Sequence, residues 1–388
     1  MKARRRAESG GSVKQIDVTE MLRAIAKPRL TGTRGAAHVT RLIRLRFRKL
    51  GYDVREDAFT FNPWPGRFAI TAVGVLYAAG VFLAAAFLYT NHPYVAIALL
   101  LVLGALVGGL VAFSGRAIDR LKWGRREAIN LFATAGKTRP RFIVMAHRDS
   151  KSQPVPLAFR GPAILVAAIV WLLLLIAAGL HAARPLSSSL IVWLGTLGVL
   201  AGVVLIFCWV DNRSPGALDN ASGVAAALGI AARERAAGDV AFLITDAEEL
   251  GLAGARAAAR GLPTVIGVIN LDGLDDEGTF YVLERFGVLR KRGTAPHLAA
   301  ALLEEAAARG EAIERRDLPA GIPVDHIPIV QGGIPALTLM RGTLASLRRV
   351  HLPSDSLANL RGDGVQRAIE LVSGALRRLR EQARALQR

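Results

Sequence analysis

The amino-acid sequence predicts an α/β protein with a mixed, largely parallel sheet, into which four transmembrane helices are inserted as two hairpins. Outside four long apolar runs, strand and helix patterns alternate along the chain, as is typical of a sheet covered by helices. Several of the predicted strands also end in acidic or histidine side chains. Ligand sites of parallel sheets gather at the carboxyl ends of the strands, so we expect a functional site there.

The composition assigns part of the chain to a membrane. Of the 388 residues, 52% are hydrophobic and the net charge is +19, whereas soluble proteins are usually about 45–50% apolar. The single cysteine, Cys208, excludes an intramolecular disulfide and a cysteine-based zinc site. The sequence has no zinc-finger spacing and no aromatic RNA-binding motif, so we expect no nucleic-acid partner.

The apolar excess lies in four segments that contain no Asp, Glu, Lys or Arg. About 18–21 helical residues cross the ~30 Å hydrocarbon core of a bilayer, and a core helix of this length usually keeps a polar face. Turns at residues 91–93 and 181–189 join the segments into two hairpins, and Gly104 and Gly108 have a spacing that favours close helix packing. The segments are residues 69–89, 94–113, 163–180 and 190–210.

Two hairpins that each cross twice leave every large polar segment on one face of the bilayer. Basic residues crowd near the span ends on that face, so the positive-inside rule predicts a cytoplasmic soluble domain on a bacterial inner membrane. The sequence makes no prediction of an oligomeric state. We expect a disordered basic tail (1–12), three parts of one soluble domain (13–68, 114–162 and 211–388) and the two hairpins (69–113 and 163–210).

The soluble segments contain recognisable strands and helices. Thr33 is a candidate N-cap for a helix that reaches residue 50, and the alternation after Gly51 predicts a strand. Predicted strands cover residues 52–61, 129–135, 141–146, 239–245 and 264–271, and predicted helices cover 18–26 and 33–50 and follow Asn220, Gly251 and Gly362.

His147 ends the predicted strand 141–146. A histidine at a strand end is most often structural. Asp149, however, lies two residues further along and shares a face with His147 in an extended chain. Its carboxylate can therefore accept a hydrogen bond from the ring nitrogen that does not bind metal, which orients a histidine ligand.

Further candidates follow along the chain. Asp219 precedes a helix that Asn220 can simply cap. The adjacent Glu248 and Glu249 follow a strand; a solvated loop tolerates such a pair, whereas a buried pair requires nearby positive charge. Asp272 directly follows the apolar strand 264–271, and His351 opens the loop before the last helix.

Together, these residues predict a centre with two metal ions. Two histidines and three carboxylates divide between ions about 3.5–4 Å apart, with Asp219 shared. Oxygen and imidazole ligands without thiolate favour Zn²⁺, with Co²⁺ or Mn²⁺ as substitutes. Glu248 then faces the water molecule between the ions. The five predicted ligands are His147, Asp219, Glu249, Asp272 and His351.

Five motifs, in this order, resemble those of the co-catalytic zinc peptidases of clan MH: MAHRDS, GALDNASGVAAAL, TDAEELGLAGA, INLDGL and HLPSDSLANL. The resemblance implies a phosphorylase/hydrolase-like three-layer sandwich. It pairs His147 with Asp272 on one zinc ion and Glu249 with His351 on the other. It implies that Asp219 bridges the two ions, that Glu248 is the general base and then the general acid, and that Asp149 orients His147.

The resemblance implies a metallo-exopeptidase, and we expect an aminopeptidase that acts on peptides. The alternatives are a metallocarboxypeptidase of the same family and a non-enzymatic membrane scaffold, although all five ligands and Glu248 are present. Four predicted spans would also suit a transporter, but the spans lack the charged residues that transporters usually need, which disfavours that function. Arg148 and Leu218 depart from the family pattern and are expected to alter pocket walls rather than the chemistry, whereas His326 either lines the pocket or has a structural role. The second hairpin joins two ligands, so we expect the site close to the bilayer.

Overall fold

The computed structural model describes residues 17–136, 139–287, 291–319 and 322–385. The tail predicted at residues 1–12 lies outside the described residues. Outside the four apolar helices, the chain forms an eight-stranded mixed sheet covered by helices, which confirms the predicted fold class. The strands are β1 (Asp53–Phe61), β2 (Arg126–Thr134), β3 (Phe142–His147), β4 (Val240–Thr245), β5 (Gly267–Leu274), β6 (Thr279–Arg285), β7 (Ile313–Asp317) and β8 (Ala336–Gly342).

The strand order is β1-β2-β4-β3-β5-β8-β6-β7. The four central strands β4, β3, β5 and β8 are parallel to one another. The pairs β1–β2, β2–β4 and β6–β8 are antiparallel, and β6–β7 is parallel. The parallel centre places the carboxyl ends of β4, β3 and β5 side by side at one edge of the sheet.

Helices cover both faces of the sheet. In β3, Phe142 and Val144 belong to the core on one face, and Ile143 and Met145 to the core on the other, as expected of a central parallel strand. The helices are α1 (Val18–Ile25), α2 (Arg34–Lys49), α3 (Trp64–Tyr89), α4 (Pro93–Arg120), α5 (Leu157–Ala183), α6 (Ser188–Ile206), α7 (Ser222–Glu234), α8 (Ala253–Ala259), α9 (Pro296–Arg309), α10 (His326–Gln331), α11 (Leu344–Leu347) and α12 (Asp363–Ala385).

Helices α3 to α5 contain the first three apolar runs and α6 contains most of the fourth, and all four helices are long and apolar enough to cross a membrane. They form hairpin 1 (α3 and α4) and hairpin 2 (α5 and α6). Three of them extend past the apolar run at the end nearer the sheet: α3 begins at Trp64, α4 continues to Arg120 and α5 begins at Leu157. In contrast, α6 ends at Ile206, before the predicted boundary at residue 210.

Small residues bring α3 and α6 together. A Cβ atom added to Gly202 would lie 2.8 Å from the Cβ atom of Ala78, and one added to Gly195 would lie 2.7 Å from that of Ala85. The close approach predicted from Gly104 and Gly108 is wrong for Gly108, which faces open space, whereas Gly104 packs against the indole ring of Trp171.

Both hairpins attach at the edge of the sheet where the central strands end. Strands β1 and β4 are both antiparallel to β2 and therefore run in the same direction. Helix α3 follows the carboxyl end of β1, α4 leads into the start of β2, and α5 follows β3. Hairpins 1 and 2 thus lie beyond the carboxyl ends of β4, β3 and β5.

Candidate metal centre

The five predicted ligands come together at this carboxyl edge. His147 is the last residue of β3, Asp272 lies near the end of β5, and Glu249 lies in the loop after β4. Asp219 precedes α7, and His351 lies in the loop before α12. Their side chains form two groups that share Asp219, each with ligand atoms within 4.8 Å of one another.

The two carboxylate oxygens of Asp219 face different histidines. In one group, Nε2 of His147 lies 3.1 Å from Oδ1 of Asp219 and 3.6 Å from Oδ1 of Asp272. In the other, Nε2 of His351 lies 3.1 Å from Oδ2 of Asp219 and 3.5 Å from Oε2 of Glu249. This arrangement is the pairing that the clan resemblance implies, with Asp219 between the two groups.

The donor set fits metal ions. Each group offers one imidazole nitrogen and two carboxylates without a thiolate, a combination that suits zinc. The carboxylates of Glu248 and Asp272 are buried, and burial raises the pKa of Glu248 well above its usual range and raises that of Asp272. Buried carboxylates at this density require positive charge nearby, which divalent cations would supply.

Asp149 contacts three residues of the centre, whereas the sequence predicts a contact with His147 alone. Its Oδ1 atom lies 3.5 Å from Nδ1 of His147. The same carboxylate accepts backbone N–H groups of Glu248 at 3.2 Å and of Glu249 at 3.1 Å. Asp149 therefore holds the backbone of both glutamates after β4 and faces the ring of the histidine at the end of β3.

Asp325 is a buried carboxylate close enough to Glu248 to influence it. Burial raises the pKa of Asp325 to about 7, and the Thr245 hydroxyl donates a hydrogen bond to it. Its negative charge adds to the effect of burial in raising the pKa of Glu248. The neighbouring His326 makes structural contacts, since its Nδ1 atom lies 2.7 Å from Oγ1 of Thr338 and burial lowers its pKa to about 4.

Arg148 does not lie in a pocket wall. It is buried, and its guanidinium lies 2.6 Å from Oδ2 of Asp246 and donates to the carbonyl oxygen of Ile129. The prediction for Arg148 was wrong because successive residues of an extended segment point to opposite sides, so the residue between His147 and Asp149 faces away from them.

Two buried residues that the sequence did not reveal as site residues support the loop of Asp219. Arg29 is fully buried, and its guanidinium donates to the carbonyl oxygens of Arg148 at 2.6 Å and of Gly216 at 2.9 Å. Asp355 accepts the backbone N–H groups of Leu218 at 2.6 Å and of Asp219 at 3.1 Å. Nothing in the pattern around Arg29 signals this role, whereas Asp355 belongs to the motif that begins at His351.

Lys151 contacts one of the two groups directly. Its Nζ atom lies 2.7 Å from Oε2 of Glu249, and its backbone N–H donates to Oε1 of the same carboxylate at 3.2 Å. Oε2 is also the oxygen that faces His351. The ammonium group therefore occupies the immediate surroundings of the Asp219–Glu249–His351 group.

The fold and the donor set define an α/β protein with a candidate metal centre at the carboxyl edge of its sheet. The family model for peptidase family M28 matches residues 130–376. The chain belongs to peptidase family M28, which confirms the resemblance to clan MH and indicates a hydrolase of the peptidase type. Comparison with curated proteins gave no match.

Solved structures with the same fold include aminopeptidases and glutaminyl cyclases. The chain is similar to an aminopeptidase from Aneurinibacillus sp. strain AM-1, with 16% identity, a TM-score of 0.54 and 94% of each chain covered. It is similar to BSAP, a zinc aminopeptidase from Bacillus subtilis, with 15% identity, a TM-score of 0.54 and the same coverage. A glutaminyl cyclase from Porphyromonas gingivalis has 16% identity and a TM-score of 0.51, with 96% of this chain and 98% of that chain covered.

Proposed function

We propose that the protein is a zinc-dependent aminopeptidase in which two metal ions share Asp219 and Glu248 transfers the proton. The observation that carries this proposal is the position of Asp219, whose two oxygens face His147 and His351 at 3.1 Å each. The remaining ligands are Asp272 on the side of His147 and Glu249 on the side of His351.

The metal ions, when bound, would lower the pKa of a water molecule and polarise the scissile carbonyl group. Glu248 takes the proton from the attacking water and delivers it to the leaving amine, so the same carboxylate is base and then acid. Asp149 holds the backbone of Glu248 by a hydrogen bond, and its carboxylate faces the Nδ1 atom of His147 at 3.5 Å, so it keeps both residues in place for this transfer.

The glutaminyl cyclases of the same fold suggest a second reaction for the same centre. Cyclisation of an N-terminal glutamine uses the substrate's own amine as the nucleophile and releases ammonia, whereas peptide hydrolysis consumes water. Similarity at 16% identity shows the fold alone and does not decide between the two reactions. An assay that identifies the products distinguishes them. We favour hydrolysis because two neighbouring groups of three ligands could hold a pair of ions, and a pair of ions suits the activation of a water molecule, which cyclisation does not consume.

The test is mass spectrometry of a leucine-led peptide and a glutamine-led peptide incubated with the full chain in detergent. We expect release of the N-terminal leucine, sensitivity to chelator and loss of at least ~10³-fold activity in Glu248→Gln. The exposed Glu127→Gln serves as the matched control. Removal of the C-terminal residue would identify the carboxypeptidase alternative, and loss of ammonia the cyclase. Absence of any product would support the scaffold alternative and reject the proposal.

We also propose that hairpins 1 and 2 cross a bacterial inner membrane, with segments 13–68, 114–162 and 211–388 forming one cytoplasmic domain. Basic side chains lie near the sheet-side ends of the helices, which favours the cytoplasmic face. A reporter fused after Arg388 tests this orientation, and a periplasmic reporter would reject it. The basic residues are Arg67, Arg116, Arg120, Lys122, Arg125, Arg126, Arg160 and Arg213.

A further inference from the structure

We propose that the metal centre works at the bilayer surface, and that its substrates are polypeptides held at that surface by an apolar or acylated segment. This inference rests on the proposed function, since it assumes an aminopeptidase with membrane-spanning hairpins. The first support is topological: both hairpins leave the sheet at the edge that carries His147, Asp219 and Glu249.

Hairpin 1 packs directly against the loop after β4. A Cβ atom added to Gly66, in the first turn of α3, would lie 2.5 Å from the carbonyl oxygen of Leu250. A Cβ atom added to Gly251 would lie 2.3 Å from Cδ1 of Ile118, near the end of α4. The loop that carries Glu248 and Glu249 therefore touches the sheet-side ends of both helices.

Hairpin 2 is tied to the other metal-binding loop through Gln153. The backbone N–H of Gln153 donates to the carbonyl oxygen of His351 at 3.0 Å, and its side-chain amide donates to that of Cys208 at 3.2 Å, just after α6. Arg160, in the first turn of α5, donates to the side-chain oxygen of Gln153. Gln153 thus connects His351, through its backbone, with the sheet-side ends of both helices of hairpin 2, through its side chain.

Aromatic side chains at the helix ends give a second indication of where the bilayer surface lies, separate from the contacts of the hairpins. Trp64 and Trp123, beside the sheet-side ends of hairpin 1, have ring centroids 6.3 Å apart, and Phe207 and Trp209 follow α6 with centroids 5.7 Å apart. Trp, Tyr and basic residues concentrate at membrane–water interfaces. At the opposite ends of the helices, the side chains of Tyr89, Tyr94 and Trp193 are exposed. The sheet-side interface therefore lies at the helix ends that contact the metal-binding loops.

This position favours substrates that are already on the membrane. A peptide must reach the carboxyl edge of the sheet between the soluble domain and the lipid surface. A chain anchored in the same bilayer has a high effective concentration there, and tethering of this kind raises apparent affinity by about 10²–10⁴-fold when the tether spans the distance. A free N terminus a few residues from its anchor can reach a centre at the surface, but not one deep in the aqueous phase.

The experiment uses the full chain reconstituted into vesicles of phosphatidylethanolamine and phosphatidylglycerol. Its substrates share one leucine-led N-terminal sequence, followed by spacers of different length and ending either in palmitoyl-lysine or in unmodified lysine. A spacer of about 4 residues reaches roughly 14 Å and one of about 12 residues roughly 40 Å. The control is the same protein in detergent, where anchor and enzyme no longer share a bilayer.

We expect the palmitoylated peptide with the shortest spacer to be hydrolysed at least ~10-fold faster than its unmodified partner in vesicles, and this preference to fall in detergent. Equal rates in vesicles, or hydrolysis of anchored peptides only with the longest spacers, would overturn the inference while leaving the aminopeptidase intact. Absence of hydrolysis of every peptide in both vesicles and detergent would reject the proposed function, and this inference with it.

Discussion

At the scale of single residues, two buried aspartates organise the loops that carry the proposed ligands. Asp149 holds the backbone of both glutamates after β4, and Asp355 holds that of Leu218 and Asp219. Burial raises the pKa of Asp355 to about 6. These carboxylates act through hydrogen bonds to the ligand loops, a kind of support that commonly determines how well a metal site is held.

Lys151 should weaken metal binding to the Asp219–Glu249–His351 group. Its ammonium lies 2.7 Å from the Glu249 oxygen that faces His351, so a cation bound there meets a like charge. We expect Lys151→Met to tighten zinc binding at this group by about tenfold, measured by calorimetry. In the wild type, zinc must displace the ammonium from Glu249, and losing this ion pair costs roughly 1–2 kcal/mol of binding free energy. Lys151 acts on the group of His147 only through the shared Asp219, so the affinity of that group should change less.

The matched control is Lys49→Met, which removes an exposed lysine at the end of α2. It should leave both zinc affinities unchanged. Equal zinc affinities in the wild type and Lys151→Met would contradict this prediction, because they would show that displacing Lys151 from Glu249 requires no free energy.

The grouping of the five candidate residues could be predicted because each stands at or after the end of an apolar strand or inside a short motif. His147 and Asp272 lie at the carboxyl ends of β3 and β5, and Glu249 follows β4; the apolar runs of these three strands are visible in the sequence. Arg29 was not predictable, because its partner carbonyl at Arg148 is 119 residues away in the chain. Local sequence patterns carry no information about contacts of this kind. The assignment of all five ligands stays a prediction until metal binding is measured.

At the scale of secondary structure, the hairpins depend on small residues where α3 and α6 meet. Gly202→Val should destabilise the protein by about 1–3 kcal/mol, since the new side chain would collide with Ala78. Thermal unfolding in detergent measures the loss. Gly108→Val is the matched control, since nothing lies within 4 Å of a Cβ atom at Gly108. An equal loss in both variants would contradict this packing.

Helices α9 and α12 are joined by the buried Glu305. Burial acts to raise the pKa of Glu305, but hydrogen bonds from Arg378 and Arg309 outweigh it and lower the pKa below its usual value. The stability that this carboxylate contributes is therefore present above its unfolded-state pKa of about 4.3 and is lost as the pH falls through the lower folded value.

We expect Glu305→Gln to lower the free energy of unfolding by about 1–3 kcal/mol at neutral pH, with the difference from wild type shrinking below about pH 4. Thermal unfolding across this pH range measures the change. Glu304→Gln changes the exposed neighbouring residue and should have little effect. A loss that is independent of pH would show that the ion pairs of Glu305 do not contribute.

Strand prediction succeeded in the first half of the sheet and failed near its far edge. Strands β1 to β5 have alternating or continuous apolar residues and were predicted to within a few residues. Strand β7 has four charged residues among five, a composition that suits an exposed edge strand but gives no strand pattern. Its pairing with β6 supplies the stability that its own sequence does not predict.

At the scale of the whole molecule, the order of the strands determines where the centre and the hairpins lie. The sequence predicted a largely parallel sheet and a site near the bilayer. It did not predict that β4 pairs with both β2 and β3, because strand order depends on contacts between distant segments. This order makes β1 parallel to β4, and so places hairpin 1 on the same edge as hairpin 2.

The central claim is a centre in which two metal ions share Asp219. The zinc stoichiometry tests this claim most directly. Calorimetric titration of the chelator-treated full chain should show two zinc ions per protein. Asp272→Asn should lose the ion on the side of His147, His351→Ala should lose the other, and Asp219→Asn should weaken both. Wild-type binding of a single ion, or the same stoichiometry in all three variants, would contradict the account.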